Sequence, residues 1–298
     1  MKNQIEEFTS KLERALSEYY SDEYDVSVTL VDKNNGVKLH GITIRRKGMT
    51  IAPTFYAEHF FDSYEAGETL SKIVHSITEY VSESDNITLL EVDYFDDYDK
   101  VKASLEMKLV NTKLNEEYLK NVPSVQFNDL SAIFMVVLCD ERIGNGGIVV
   151  KNEHIELWGV DIKTLYDDAK KNMMKNNPFA LTNIIDILSE IKERREYSDD
   201  VGPINMYVLT NNKKVNGAVT LMYDNMLDII AEKMHGDYYI LPSSIHEVII
   251  LPKKDDIRAK ELTRMVNEVN NTSLDPQEIL ADHAYEYLSN KHILQPID

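Results

Sequence analysis

The chain is poor in the residues from which several familiar protein classes are built. Its 298 residues include one cysteine, Cys139, so no disulfide framework can form within it. A reducing cytoplasm is the expected setting. Cys139 follows the apolar run Ile133-Phe134-Met135-Val136-Val137-Leu138 and reads as a small buried hydrophobe. No apolar run approaches the roughly 18 residues that span a bilayer, and the polar, acidic start is no signal peptide, so no membrane association is expected. Bases are scarce as well. The balance of 32 lysines and arginines against 51 acids leaves a net charge of −19. That argues against direct nucleic-acid binding through a broad basic surface. Glycines cluster once, at Gly144-Asn145-Gly146-Gly147. The cluster lacks the Gly-Lys-Ser/Thr of a phosphate loop and the spacing of a dinucleotide fingerprint, so it reads as a hairpin loop and no cofactor is expected. Eight histidines are present, but none forms a ligand pair at short metal spacing, and no metal site is expected.

What is present is a change of period along the chain. Ile5, Phe8, Leu12, Leu16 and Tyr19 recur at helical spacing. Val26, Val28 and Leu30 then alternate with polar residues, Asn35-Gly36 supplies a turn, and Leu39 to Ile44 returns as a hairpin partner. A third strand is expected near residues 49–55, then a helix carrying Leu70, Ile73, Val74, Ile77 and Val81. Residues 101–110 have mixed character, residues 115–120 read as a short helix, and residues 132–138 read as a buried strand. Asp161 is a candidate N-cap for a helix with Leu165, Ala169 and Met173 on one face. Asn177-Pro178 is read as the start of another helix. The C-terminal part reads as a ββαββ unit, with strands at 204–209, 215–221, 238–241 and 248–251. The helix between them is capped by Asp224. Two further helices are expected, at 256–270 and 275–289. The fold class is α+β (mixed α/β): an N-terminal helix with antiparallel strands, then the ββαββ unit with flanking helices. A seam near residues 84–115 would divide a region 1–110 from a region 111–298; one undivided body is the competing description.

Two places carry candidate chemistry. The turn Pro242-Ser243-Ser244-Ile245-His246-Glu247 brings hydroxyls, an imidazole and a carboxylate together beside a sheet. Ser244, His246 and Glu247, with Ser243, could supply a nucleophile and a base for a hydrolase. The Gly-x-Ser-x-Gly elbow is absent, however, and no glycine stands nearby to build an oxyanion hole. A tight turn in which the serines bond the local backbone is the simpler reading. The second place is acidic. Residues 51–100 hold twelve acids against two bases, densest at Glu91-Val92-Asp93-Tyr94-Phe95-Asp96-Asp97-Tyr98-Asp99. The stretch lacks the central glycine and closing glutamate of a calcium loop. A solvated face and a docking surface for a basic protein, built on Asp93, Asp96, Asp97 and Asp99, both account for it.

Several blocks resemble a known family. They are Asn34-Asn35-Gly36-Val37-Lys38-Leu39-His40-Gly41, Ala52-Pro53-Thr54-Phe55-Tyr56, and Trp158-Gly159-Val160 with Leu165, Ala169 and Asn172. Tyr207-Val208-Leu209-Thr210-Asn211 and Tyr239 to Val248 complete them. In this order, across residues 25–290, they are similar to a bacterial domain-of-unknown-function family common in gut-dwelling anaerobes. The resemblance implies a bacterial, cytoplasmic protein and attaches no activity to these motifs. The leading expectation is therefore an acidic protein-binding module with a basic partner. A narrower version is an inhibitor that mimics nucleic-acid charge. The alternatives are a hydrolase at the 242–247 turn and a structural oligomeric subunit.

Overall fold

A computed structural model describes residues 2–48, 52–85, 94–140, 144–192, 205–254 and 259–297. The chain forms two compact units, one of Met1–Val101 with Val137–Gly147, the other of Lys102–Val136 with Ile148–Asp298. The fold is mixed α+β with antiparallel sheets.

In the first unit, α1 (Lys2–Tyr20) is followed by β1 (Tyr24–Asp32), β2 (Lys38–Arg46) and β3 (Thr54–Tyr56). The helices α2 (Glu58–Glu65), α3 (Leu70–Asp85) and α4 (Tyr98–Val101) come after them. The strands form a three-stranded sheet in that order, with Val26 opposite Ile44 and Val28 opposite Ile42. At the β1–β2 turn Asn35 and Gly36 both take positive φ, the conformation for which Asn-Gly is suited. Phe8, Leu12 and Leu16 of α1 and Ile73, Ile77 and Val81 of α3 each recur every four residues. They bury one stripe per helix against Ile42 and Ile44.

The second unit holds a six-stranded sheet and the greater part of a four-stranded one. Residues 101–110, ambiguous in the sequence, become β4 (Leu105–Asn111), which pairs with β6 (Leu130–Asp140). Between them lie α5 (Glu116–Leu119) and β5 (Ser124–Phe127), and β7 (Gly144–Val149) pairs with β6. The glycine cluster thus starts a strand and is not a hairpin loop. Next come α6 (Asn152–Trp158) and α7 (Ile162–Asn176), whose Asp161 side chain accepts the Thr164 N–H at 2.7 Å as the expected N-cap. Leu165, Ala169 and Met173 are the buried stripe of α7, and the Met107 N–H of β4 points at the Met173 sulfur, 3.0 Å away.

The six-stranded sheet is built from β8 (Phe179–Asn183), β9 (Tyr207–Asn211), β10 (Tyr238–Pro242), β11 (Val248–Pro252), β12 (Tyr285–Leu288) and β13 (Ile293–Pro296). It runs in the order β13-β12-β10-β11-β9-β8. The helices are α8 (Ile184–Lys192), α9 (Met226–Met234) and α10 (Ala259–Thr272). Three sequence expectations are corrected here. Pro178 opens the edge strand β8, not a helix, and an edge position tolerates the missing N–H. Residues 215–221 form no strand: Gly217–Met222 is a fully buried 3-10 turn entered through Asn216 at positive φ, which breaks an extended chain. Residues 275–289 hold a short 3-10 turn and β12 instead of a helix, because Tyr285 and Tyr287 alternate inward with Glu286 and Leu288. The expected ββαββ unit is therefore corrected as well: between residues 207 and 252 the chain runs β9, the 3-10 turn, α9, β10 and β11, one strand fewer than expected.

Candidate functional site

The turn between β10 and β11 is held by backbone and side-chain hydrogen bonds. The Ser244 N–H donates to the Glu247 carbonyl at 3.1 Å, and the His246 N–H donates to Ser244 Oγ at 3.0 Å. Thr210 on β9 donates its hydroxyl to the His246 carbonyl at 2.8 Å. The Asn216 N–H donates to His246 Nδ1 at 3.0 Å, and the ring's Nε2 lies 3.5 Å from Glu278. Gly217 makes this closeness possible. A Cβ there would stand 2.5 Å from the His246 carbonyl oxygen and 2.7 Å from the Asn211 nitrogen, and would run into the Thr210 hydroxyl. Ser244 and His246 thus meet through the histidine's backbone N–H, and the ring's only neutral lone pair takes a backbone donor. Serine catalysis requires that lone pair to face the serine hydroxyl. Ser243 and Glu247 are half-buried beside the turn.

Strand β12 carries a second constellation, assembled twice. At its first residue, Tyr285 donates its hydroxyl to Asp129 at 2.8 Å. His283 lies between two carboxylates, with Nδ1 2.8 Å from Asp282 and Nε2 3.3 Å from Asp129. The second contact has ion-pair distance but departs from hydrogen-bond alignment. Two residues on, Tyr287 donates to Asp228 of α9 at 2.5 Å, and His292 Nδ1 stands 2.8 Å from the same carboxylate oxygen.

The electrostatics follow from these contacts. The Asp129 carboxylate beside His283 raises that imidazole above its ordinary value, burial opposing and Asp282 adding to the effect. Burial pushes the Asp129 carboxyl up, but the close approach of His283 and the Tyr285 hydrogen bond outweigh it and leave the group below the usual range. Burial, then the Asp129 charge, pushes the Tyr285 phenol up. Asp228 is held low by Tyr287 and then by His292. A third pair stands in the first unit, where Glu58 accepts the His40 backbone N–H and faces its Nδ1 at 2.7 Å.

A family profile matches residues 5–289, a stretch that includes all of these groups except His292. The chain belongs to DUF5688, a family of unknown function. No curated protein and no solved structure matches it.

In this DUF5688 chain the acidic candidates divide. Asp96, Asp97 and Asp99 are exposed, and Asp97 accepts the Asp99 N–H at 2.9 Å; Asp93 lies outside the described residues. The DUF5688 chain brings Asp129 and Tyr285 together across 156 residues, and Asp228 and His292 across 64. No spacing rule reaches that far, so neither cluster could be read from the sequence. The one local signal was the Tyr285-Glu286-Tyr287 alternation, which places both phenols on one face of a strand. Among the described residues, no group of three or more histidine, cysteine, aspartate or glutamate side chains is placed to hold a metal ion. Among them too, no helix is long and apolar enough to cross a membrane.

Proposed function

We propose that the chain is a bacterial, cytoplasmic protein-recognition module whose acidic segment docks on a basic protein surface. The observation that carries this reading is the charge of residues 51–100, twelve acids against two bases, more than half of the net −19. Within the described part of that segment Asp62, Glu65, Glu68, Asp96, Asp97 and Asp99 are exposed, with Tyr94 and Tyr98 half-buried among them. Exposed carboxylates steer a cationic partner over a Debye length, and tyrosine adds contact area with little loss of side-chain entropy. An inhibitor that mimics the charge of a nucleic acid is the narrower form of the same proposal. The 242–247 turn supports a hydrolase less well, because the His246 lone pair is engaged by Asn216.

The test is a pull-down from the native host at low and moderate salt, comparing the natural chain with one in which Asp93, Asp96, Asp97 and Asp99 are all changed to Asn. The expected result is a basic partner that is released as salt rises and retained about tenfold less by the variant. Retention that ignores both salt and the four substitutions would sink the docking proposal.

A further inference from the structure

The C-terminal segment, residues 280–297, contains β12 and β13 and so forms one edge of the six-stranded sheet. Side-chain contacts among the described residues attach it to the other sheet of the same unit. Asn111, ending β4, donates its side-chain amide to the Leu280 carbonyl at 3.2 Å. Asn128, in the β5–β6 turn, donates to the Leu294 carbonyl at 2.9 Å. Beside Asn128, Asp129 receives Tyr285 and faces His283. The first two bonds are neutral and indifferent to pH. The third attachment is ionic and contains the only titratable groups of the set. His283 faces Asp129 from the β5–β6 turn, Asp282 from its own loop, and the Tyr285 ring from β12, with ring centroids 4.8 Å apart. Its side chain is only 19% exposed, so water screens the pair incompletely.

We infer that His283 and Asp129 form a proton-dependent latch that seats the C-terminal strand pair against the β5–β6 turn. With the imidazolium present, two carboxylates converge on one cation and the Asp129 charge is compensated at a half-buried site. With the ring neutral, Asp129 keeps the Tyr285 hydroxyl and faces Asp282 across an uncharged ring, while the two asparagine amides and the pairing of β12 with β10 persist. The direction in pH follows from linkage. The His283 value is raised on folding, so its contribution is full below the ordinary histidine value and is lost as pH rises through the raised one. The Asp129 value is lowered, so its contribution is full above the ordinary carboxylate range and is lost as pH falls through the depressed one. The latch is therefore closed in the weakly acidic to neutral window and opens on the alkaline side first.

Trp158 is the single tryptophan and belongs to this unit, so its fluorescence reports urea unfolding of the relevant body. The full chain and its His283→Gln variant would be unfolded at about pH 6 and about pH 9, with His292→Gln as the exposed control. The expected result is a natural chain whose midpoint falls toward alkaline pH, a His283→Gln chain that has lost about half or more of that fall, and a control that keeps it. Equal pH dependence in the natural and His283→Gln chains would overturn the latch. Should His283→Gln fail to fold, titration of the His283 ring protons by NMR in the natural chain decides. A midpoint above the ordinary 6.5 supports the latch, and one at or below it overturns the inference.

Discussion

His246 and His283 stand in the same compact unit, both half-buried and both facing acidic side chains, yet their rings are used in opposite ways. The His246 ring accepts a backbone N–H at Nδ1, and its main chain is pinned by Thr210 and Ser244; the facing acid, Glu278, stands back at 3.5 Å. The His283 ring lies between two carboxylates at 2.8 and 3.3 Å. A ring that accepts a main-chain donor shapes a turn. A ring between carboxylates, one of them 154 residues away, ties together segments distant in sequence. The two histidines therefore teach that neighbouring residue types say little about a histidine's role until the hydrogen-bond donor at each ring nitrogen is known.

That contrast can be broken first at Gly217. Its replacement by alanine forces a methyl group into the Thr210 hydroxyl and into two backbone atoms, the His246 carbonyl oxygen and the Asn211 nitrogen. Such overpacking is expected to lower stability by about 3 kcal/mol or more, read as an earlier urea midpoint of Trp158 fluorescence. A near-natural midpoint would mean that the His246 turn yields easily and is not the rigid member of the pair.

A smaller effect is expected at the other histidine. Tyr285→Phe removes the neutral donor from Asp129 and leaves the carboxylate to His283, at a cost of about 1–1.5 kcal/mol after allowing for the partial exposure of that carboxylate. The same change two residues on, Tyr287→Phe, should cost less than this, because Asp228 lies open to water that can replace the lost donor. Equal losses at the two tyrosines would show that burial is not what distinguishes the clusters. The ordering, more than either magnitude, is the point of the measurement.

The parts of the fold that the sequence made legible are those in which one segment carries its own signal. The stripes Phe8-Leu12-Leu16 and Ile73-Ile77-Val81 have one period and one apolar face, and each helix forms as expected. Asn35-Gly36 supports the positive φ values of its own turn. Failures concentrate where short apolar runs admit more than one local structure. Val215 to Leu221 is continuous enough for a strand, but Gly217 packs against Thr210 of β9 and His246 of the β10–β11 turn, and the chain turns there. The region around Tyr285 contains alanines and acids suited to a helix, yet β12 forms because Tyr238 of β10 lies in register with Tyr287 and closes the ladder. The candidate turn was visible as a collection of functional groups, whereas its hydrogen-bond assignments were not.

By itself, then, the sequence determined the charge of the surface, the absence of an intrachain disulfide, the amphipathic helices and the α+β class. These depend on composition and on periods of a few residues, which act before distant segments meet. Tertiary structure alone decided that Asp129 would find Tyr285 and His283, that Asp228 would find Tyr287 and His292, and that the His246 ring would serve a backbone donor. The physical reason is that a half-buried carboxylate or ring nitrogen takes whichever partner the packed sheets deliver, and that delivery is set by strand order and register across more than a hundred residues.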